Sequence, residues 1–248
     1  MSRITLTAAS RVGCVRSNNE DMVLAYDKLV RSDAYQTEFM TENTQRFVIA
    51  LADGMGGHRA GEVASEQTLR SLKFFINDIP HGMSIGEFDE TMIEWLQSIN
   101  NSINRQGHSD PALLDMGTTL VGVIYYCGKY FWMNCGDSRL YRLRNGQLLQ
   151  LSTDHSLSNA RGEVKHSNII TNCIGAGCKN SYLDLFEFTD DFRSGDTYML
   201  CSDGLNDMIS HDNIEKLMNE GCTANHLCEA AIEAGGFDNV SVCVFHVE

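Results

Sequence analysis

The sequence of 248 residues has little proline and little positive charge, and it contains no long apolar run. Its two prolines and 43% hydrophobic residues are typical of a compact globular chain. It has 19 Lys and Arg against 33 Asp and Glu, and the resulting net charge of −14 argues against nucleic acid or an anionic membrane as a partner. Because no run of about 18 apolar residues occurs, no membrane span is predicted.

Features that mark secretion or a soft-metal site are also missing. Residues 1–6 lack the apolar core of a signal peptide. The nine cysteines are odd in number and form no C-x-x-C pair, which argues against a disulfide framework. No Cys/His spacing suits zinc, and no P-loop glycine pattern suits a nucleotide. We therefore expect a cytoplasmic protein with reduced, mostly buried thiols.

The segment Ala52-Asp53-Gly54-Met55-Gly56-Gly57-His58 is the most informative stretch of the chain. It follows a predicted buried strand, 47–51, and precedes a predicted amphipathic helix, 60–77. A carboxylate followed by glycines, whose backbone carbonyls are accessible, suits a hard cation such as Mg²⁺ or Mn²⁺. Taken alone, the same segment is also consistent with an ordinary turn.

The hydrophobic pattern predicts antiparallel strands and two long helices in succession. The second helix is capped by Ser84 and presents an apolar face from Phe88 to Ile103. Residues 29–45 lack a strong periodicity and predict a long loop, and residues 154–175 predict a surface flap. Residues 120–151 predict an antiparallel meander, and further strands are expected at 4–8, 22–26, 183–188, 197–201 and 240–247.

Six acidic residues occupy similar places at strand ends. Four of them lie beside Gly or Asn, and two lie between the first two strands; they are Asp53, Asp137, Asp203, Asp238, Glu20 and Asp21. Either these acids fall independently at turns, or they gather into one cluster that divalent cations neutralise. Two ions in such a cluster could share a carboxylate and a water and lower the pKa of that water.

Arg16 precedes the Glu20–Asp21 pair in a polar segment. The segment is consistent with a charged hairpin turn. Alternatively, the guanidinium is an anion receptor beside metal-binding carboxylates, because it can hold two phosphate oxygens at once.

The order of these motifs strongly resembles the protein phosphatase 2C family, the metal-dependent Ser/Thr protein phosphatases, in its bacterial branch. The motifs are R-x-x-N-E-D, A-D-G-M-G-G-H-x-A-G-E-x-A-S, M-G-T-T, G-D-S-R, C-S-D-G-L and G-x-D-N-V, and they run from Arg16 to Val240. Each motif is weak alone, but six in this order are highly specific.

The resemblance implies a mixed α/β (α+β) fold, a four-layer α-β-β-α sandwich of two antiparallel sheets flanked by helix pairs. It implies two Mn²⁺ or Mg²⁺ ions bridged by Asp53, with the Gly54 carbonyl on one of them. Further implied ligands are Asp203 and Asp238 for the first metal, Glu20 and Asp21 mainly through water, and Asp137 with Asp203 for a third, weaker metal. Arg16 matches the arginine that receives the substrate phosphate, and a metal-bridging water would attack phosphorus in line.

Two positions depart from the family pattern. Met55 stands where eukaryotic-type members carry a histidine proposed as the general acid, and we expect His58 to be structural. The flap at about 154–175 is short compared with that of bacterial relatives. Four secondary candidates at the start of this region are more consistent with a structural cap or turn; they are Thr153, Asp154, His155 and Ser156.

The favoured hypothesis is a single catalytic domain over 1–248 that dephosphorylates proteins and reverses a bacterial Ser/Thr kinase, and we expect it to act as a monomer. A non-catalytic binding module on the same fold is an alternative, but such modules lose metal-binding acids that are present here. A third hypothesis keeps the chemistry and restricts the substrate to one dedicated regulator protein.

Overall fold

The structure, a computed structural model, describes residues 2–56, 60–161 and 169–248. The strands within these ranges are β1 (Arg3–Arg11), β2 (Met22–Ala25), β3 (Lys28–Val30), β4 (Ala34–Met40), β5 (Arg46–Ala52), β6 (Gly54–Met55), β7 (Gly117–Thr118), β8 (Leu120–Tyr126), β9 (Lys129–Cys135), β10 (Arg139–Arg144), β11 (Gln147–Gln150), β12 (Ile174–Gly175), β13 (Asp184–Glu187), β14 (Thr197–Cys201) and β15 (Val240–Val247). The α-helices within them are α1 (Ala60–Asp78), α2 (Ile85–Ser109), α3 (Leu157–Arg161), α4 (Asp203–Asn206), α5 (His211–Asn219) and α6 (Ala224–Glu233).

Two six-stranded antiparallel sheets form the centre of the fold. The first sheet has the order β11-β10-β14-β15-β1-β4, and the second has the order β13-β9-β8-β5-β2-β3. A small third sheet, β12-β7-β6, extends from the end of β5. The predicted four-layer α-β-β-α sandwich is confirmed, because α1 and α2 pack on the outer face of the second sheet while α4, α5 and α6 pack on that of the first.

Central strands read as continuous apolar runs because both of their faces are buried. In β5, Val48 and Ala50 point into the core beneath α1 and α2, whereas Ile49 and Leu51 point into the core between the two sheets. The same alternation divides β15 between the inter-sheet core and the core beneath α4–α6. Three contiguous apolar layers therefore hold the two sheets in fixed positions.

The two long helices follow the sequence prediction closely. Ser84 caps α2 with a capping box in which its hydroxyl accepts from the Glu87 N–H, and the Glu87 side chain binds back to Ser84. Hydrogen bonds from Gln67 to Gln106 and from Trp95 to Ser71 join α1 and α2. Because the partner number on α2 falls as that on α1 rises, the helices are antiparallel, as predicted.

Strand register brings the acid-bearing strand ends to one end of the sandwich. Met22 pairs with Ala52 across the antiparallel strands β2 and β5. Asp21, just before β2, and Asp53, just after β5, therefore lie at the same end of this strand pair. Cys201 pairs with both Val242 and Arg139, so Asp203 lies beside the segments that carry Asp238 and Asp137. Antiparallel pairing thus gathers residues that are up to about 200 positions apart in sequence.

The predicted loop over 29–45 is wrong. Residues 34–40 form β4, which pairs with β1 from Arg3↔Met40 to Ala9↔Ala34. The strand lies at the edge of its sheet, so only alternate side chains, including Tyr35 and Phe39, pack on the inter-sheet core. Its exposed side chains make the segment look polar and hide the period of two.

The predicted single meander over 120–151 is also wrong. The β8–β9 hairpin belongs to the second sheet and the β10–β11 hairpin belongs to the first. The chain crosses between the sheets at 136–138, where Gly136 has a φ of 129°. Glycine is required there, because a Cβ would lie 2.6 Å from Cβ of Thr119.

The predicted surface flap is partly buried. Asp154, His155 and Ser156 are 6%, 6% and 2% exposed, and Ile174 is buried in the core beneath α1 and α2. Residues 162–168 of the flap, like Gly57 and His58 of the glycine-rich segment, lie outside the described residues. No helix among the described residues combines the length and apolar character that a membrane span requires.

Candidate active site

Asp53 and Asp21 stand side by side at the end of the paired strands β5 and β2. The pairing of Met22 with Ala52 places the two carboxyl groups next to one another, and Oδ2 of Asp21 accepts a 2.8 Å hydrogen bond from Oγ of Ser202. Burial, followed by the charges of Asp21 and Asp203, raises the pKa of Asp53 well above its usual range. Two adjoining carboxyl groups with raised pKa values hold protons readily, and a divalent cation can take the place of those protons.

The backbone of Asp53 is fixed from both sides. Its N–H donates to Oγ1 of Thr119 at 3.0 Å, and its carbonyl accepts from the Thr119 N–H and from Oγ1 of Thr118, both at 2.8 Å. Oγ1 of Thr119 is in turn 2.7 Å from Oγ of Ser138, beside Asp137. The two threonines of the M-G-T-T motif therefore position Asp53, a role that the sequence alone did not reveal.

Gly54 lies where a strand presses against a helix. A Cβ on Gly54 would lie 2.3 Å from the Gly61 carbonyl oxygen and 2.5 Å from that of Glu20. A Cβ on Gly61, in the first turn of α1, would in turn lie 2.6 Å from the carbonyl carbon of Gly54. Gly54 and Gly61 of the A-D-G-M-G-G-H-x-A-G motif thus allow close backbone packing, which also keeps the Gly54 carbonyl near the acids.

Asp203 and Asp137 form the second acidic pair. Burial and the charges of Asp137 and Asp207 raise the pKa of Asp203 to about 8. Burial, with the charge of Asp154, raises the pKa of Asp137 to about 6. Oδ1 of Asp137 is buried, and within the described residues no hydrogen-bond donor reaches it. An unsatisfied carboxylate oxygen in an acidic environment fits a cation ligand.

Asp238 and Arg16 make the exposed side of the site. Nη2 of Arg16 donates to Oδ2 of Asp238 at 2.7 Å, and the two side chains are 54% and 39% exposed. This hydrogen bond and charge raise the pKa of Arg16 above its usual value. The charges of Glu20 and Asp53 are close enough to raise the pKa of the guanidinium further. An anion held by Arg16 would therefore lie beside the acidic cluster.

Asn239 holds the Arg16 segment against the last strand. Its Oδ1 accepts from the Glu20 N–H at 2.8 Å, and its Nδ2 donates to the carbonyls of Val12 and Asn18 at 2.9 and 3.0 Å. The asparagine of the G-x-D-N-V motif is therefore a positioning residue for Glu20. Burial raises the pKa of Glu20 above its usual value.

A buried hydrogen-bond network of small polar residues holds Asp21 in place. Nδ2 of Asn19 and Oγ of Ser241 both donate to Oγ of Ser10 at 2.7 Å, and Ser241 N–H donates to Oγ of Ser202 at 3.0 Å. Burial raises the pKa of Asp21 to about 6, although the hydroxyls of Ser202 and Ser241 oppose that rise. Sequence reasoning missed this network, because single serines in strands carry no periodic signal.

Two of the secondary candidates, Asp154 and His155, have structural partners. Asp154 accepts a pair of hydrogen bonds from Arg139, from Nε at 2.9 Å and from Nη2 at 2.6 Å. Nδ1 of His155 accepts from the Gly136 N–H at 3.1 Å, and its Nε2 lies 3.0 Å from Oδ2 of Asp184. His155 thus braces the backbone that immediately precedes Asp137.

All the predicted acids and Arg16 therefore lie in one neighbourhood, although not around one point. Within the three described ranges, no three His, Cys, Asp or Glu side chains are already arranged to enclose an ion. The crowded oxygen ligands, their raised pKa values and the unsatisfied Asp137 oxygen nevertheless fit hard cations, held in part through water.

We expect the metal-free protein to lose stability as pH rises from 5 to 8. Asp21, Asp137 and Asp203 have folded-state pKa values of about 6, 6 and 8. The folded state therefore binds more protons than the unfolded state above pH 4, and the stabilisation present below that pH is lost as pH rises through 6 to 8. Thermal denaturation in a chelator should show a fall in Tm of about 5 °C or more.

The matched variant Asp203→Asn should flatten this pH profile, because it removes the most strongly shifted of these three carboxyls. Added Mn²⁺ should also remove the fall, because the ion replaces the protons. A variant profile parallel to that of the wild type would contradict the assignment of the shift to this cluster.

The fold and the site define a class of protein: an α-β-β-α sandwich with an arginine and a cluster of acids at one end. The chain matches the family model described as Protein phosphatase 2C over residues 25–231. The chain belongs to the protein phosphatase 2C family, as the sequence motifs predicted.

Two curated relatives are named bacterial serine/threonine phosphatases. Serine/threonine protein phosphatase PstP of Mycobacterium tuberculosis is 33% identical over 261 residues, which cover 100% of this chain and 46% of PstP. Serine/threonine phosphatase stp of Listeria monocytogenes is 33% identical over 219 residues, covering 82% of this chain and 85% of that protein. The chain thus spans about half the length of PstP and most of the length of stp.

Solved structures give the same result. The serine/threonine phosphatase of S. agalactiae superposes with a TM-score of 0.82 at 29% identity, covering 99% of this chain and 100% of that chain. The catalytic domain of PstP in complex with two manganese ions has a TM-score of 0.75 at 32% identity, covering 100% of this chain and 99% of that chain.

Proposed function

We propose that this chain is a metal-dependent phosphatase that hydrolyses phosphoserine and phosphothreonine in proteins. The observation that carries the proposal is the position of Arg16. Its guanidinium is exposed, bound to Asp238, and next to a cluster of carboxyls whose pKa values are raised by burial and by one another's charges. An anion receptor beside a cation-deficient acidic cluster is suited to a phosphate monoester.

We propose that two Mn²⁺ or Mg²⁺ ions bind here. Asp53 would bridge them, with the Gly54 carbonyl, Asp203 and Asp238 as further ligands. Glu20 and Asp21 would act mainly through water, and Asp137 with Asp203 would hold a weaker third ion. The oxygen-only donor set supports this proposal, as does the two-manganese structure of PstP. When bound, the ions would supply a water of lowered pKa and neutralise charge on the phosphoryl group.

The side chains around the metal site would bind the substrate and position the ligands. Arg16 would bind and orient the phosphate oxygens, and Asp238 would hold Arg16 in place. Thr118 and Thr119 would keep Asp53 in position. Met55 has no titratable group, so it cannot donate the proton that the leaving hydroxyl requires.

The test is hydrolysis of p-nitrophenyl phosphate and of a phosphothreonine peptide with Mn²⁺, with Mg²⁺ and with EDTA. We expect turnover with either metal, none with EDTA, and resistance to okadaic-type inhibitors. Metal binding without turnover of either substrate would contradict the enzyme hypothesis and favour a non-catalytic binding module.

We expect Arg16→Ala to raise KM for the phosphothreonine peptide and to lower kcat/KM by about 10- to 100-fold, because hydrogen bonds to charged groups contribute about 1.5–3 kcal/mol. Arg16→Lys should recover only part of the loss, since an ammonium cannot bind two phosphate oxygens in a fork. Steady-state kinetics on all three proteins measure this effect.

Arg3→Ala is the matched control, because Arg3 is 47% exposed and also paired, with Glu38, but it lies on β1 away from the acids. It should retain the activity of the wild type. Mn²⁺ affinity is measured in parallel, because Arg16 contacts a proposed ligand. Unchanged KM in Arg16→Ala at saturating metal would contradict the role assigned to Arg16.

We further propose phosphorylated proteins as substrates, a cognate Ser/Thr kinase whose action is reversed, and residues 1–248 working as one catalytic domain and as a monomer. Cytoplasmic localisation is part of the same proposal. It is supported by the nine cysteines, none of which forms a disulfide.

A further inference from the structure

Two large apolar side chains are exposed beside Arg16. Val15 is 64% exposed and Phe237 is 62% exposed. Val15 directly precedes Arg16, and Phe237 directly precedes Asp238, the partner of Arg16. Single exposed apolar residues are common on proteins, but two such residues that flank one ion pair form a local surface.

The backbone holds these two segments together. The Cys14 N–H donates to the Gly236 carbonyl at 2.7 Å, so the chain before Val15 is bonded to the chain before Phe237. A Cβ on Gly13 would lie 2.2 Å from the Asp238 carbonyl oxygen, which shows how closely the backbones of the two segments approach each other. Gly13 has a φ of 76°, a conformation that favours glycine.

Met208 extends the same surface. A Cβ placed on Gly235 would lie 3.3 Å from Cε2 of Phe237 and 3.5 Å from Sδ of Met208, so the ring and the thioether both lie beside this glycine. Met208 is half-buried, and its base packs on the core beneath α4–α6. We call Val15, Met208 and Phe237 the apolar rim. A flexible thioether near an aromatic ring makes an adaptable apolar surface.

The apolar rim is continuous with the proposed phosphate site and differs from it in chemistry. Arg16 is near Glu20, Asp53 and Asp238, which suit cations and phosphate. Val15 and Phe237 of the apolar rim adjoin Arg16 and Asp238 in the chain, and they offer contact area and no charge. If the phosphate of a phosphoprotein binds at Arg16, the residue next to the phosphorylated serine or threonine would contact this rim.

We propose that the apolar rim determines specificity by holding an apolar side chain of the phosphoprotein substrate, next to the phosphorylated serine or threonine. The inference rests on the proposed function, because Arg16 must hold the substrate phosphate. Continuity with Arg16 favours a substrate segment as the occupant, since a partner bound permanently on the rim would cover the same arginine.

The test compares phosphothreonine peptides that carry Leu or Ser immediately before, or immediately after, the phosphothreonine. We expect the wild type to prefer Leu at one of the two positions by about fivefold or more in kcat/KM, as partial burial of an apolar side chain implies. Phe237→Ser should reduce this ratio to near one, and Phe237→Leu should retain most of it. Val15→Ser gives an independent variant at an exposed turn.

p-Nitrophenyl phosphate has no flanking residue, so Phe237→Ser should hydrolyse it within about twofold of the wild-type rate. Phe74→Ser is the matched control, because Phe74 is 72% exposed but lies on the outer face of α1; it should leave the peptide ratio unchanged. Hydrolysis of p-nitrophenyl phosphate without any Leu preference, or a preference that survives in both rim variants, would overturn this inference alone. Failure of the wild type to hydrolyse p-nitrophenyl phosphate would overturn the proposed function and this inference with it.

Discussion

Asp53→Asn is expected to lower kcat for p-nitrophenyl phosphate by about 1000-fold or more. Asparagine has nearly the same shape but no charge, so it cannot bridge two cations. Loss of several kcal/mol of metal-derived stabilisation corresponds to at least three powers of ten in rate. Single-turnover and steady-state rates at saturating Mn²⁺ measure the effect.

Although it lowers activity, the same substitution should stabilise the metal-free protein. Burial and the nearby charges of Asp21 and Asp203 raise the pKa of Asp53, so removing its charge should raise Tm in a chelator at pH 8. Mn²⁺ should then stabilise the variant less than the wild type. Glu94→Gln, at an exposed position on α2, should change neither value. Wild-type activity in Asp53→Asn would exclude Asp53 as the bridging ligand.

Gly54→Ala is expected to destabilise the fold by about 3 kcal/mol or more, because the new methyl group meets backbone atoms that cannot swing away. The nearest are the carbonyl oxygens of Gly61 and Glu20, at 2.3 and 2.5 Å. For a domain of this size the cost corresponds to a fall in Tm of roughly 6–12 °C. Activity should fall as well, because β6 has to move and takes the Gly54 carbonyl with it.

Gly86→Ala is the matched control. Gly86 lies in α2, and an added Cβ there would meet no atom within 4 Å. Alanine at this site should be neutral or stabilise the helix by up to about 1 kcal/mol. If Gly54→Ala melts at the wild-type temperature, the close contact between β6 and α1 does not restrict this position.

The site could be predicted from sequence where its residues stand in short, local motifs. Asp53 follows an unmistakable buried strand, and glycines follow it, so strand end, turn and carboxylate are visible together. Asp203 is found in the same way after β14. What local motifs cannot contain is the pairing of β2 with β5 and of β14 with β10 and β15, which brings these acids to one end.

The errors have physical causes of two kinds. Edge strand β4 buries only one face, so its composition resembles that of a loop, and its partner β1 is about 30 residues away. At Gly136 the chain crosses from one sheet to the other, between two hairpins. Because the local sequence pattern of these hairpins is that of a continuous meander, the crossing is not visible in it. Both depend on contacts that are distant in sequence, which periodicity does not report.

Residues that support the site were hidden for a related reason. Ser10, Ser202 and Ser241 lie in or next to strands and look like ordinary polar positions. Their role depends on hydrogen bonds that join Ser241 to Ser10 and Ser202 to Asp21. Thr118, Thr119 and Asn239 belonged to motifs that the sequence showed, but their function of holding Asp53 and Glu20 is visible only in the fold.

The most direct test of the metal centre is to titrate Mn²⁺ into metal-free protein while measuring bound ions and phosphothreonine-peptide hydrolysis on the same sample. We predict that activity rises with the occupation of two sites per chain in the wild type and that Asp53→Asn loses both binding and activity in step. Hydrolysis at the full rate in a chelator, with no ion bound, would contradict the assignment of the acidic cluster as a catalytic metal centre.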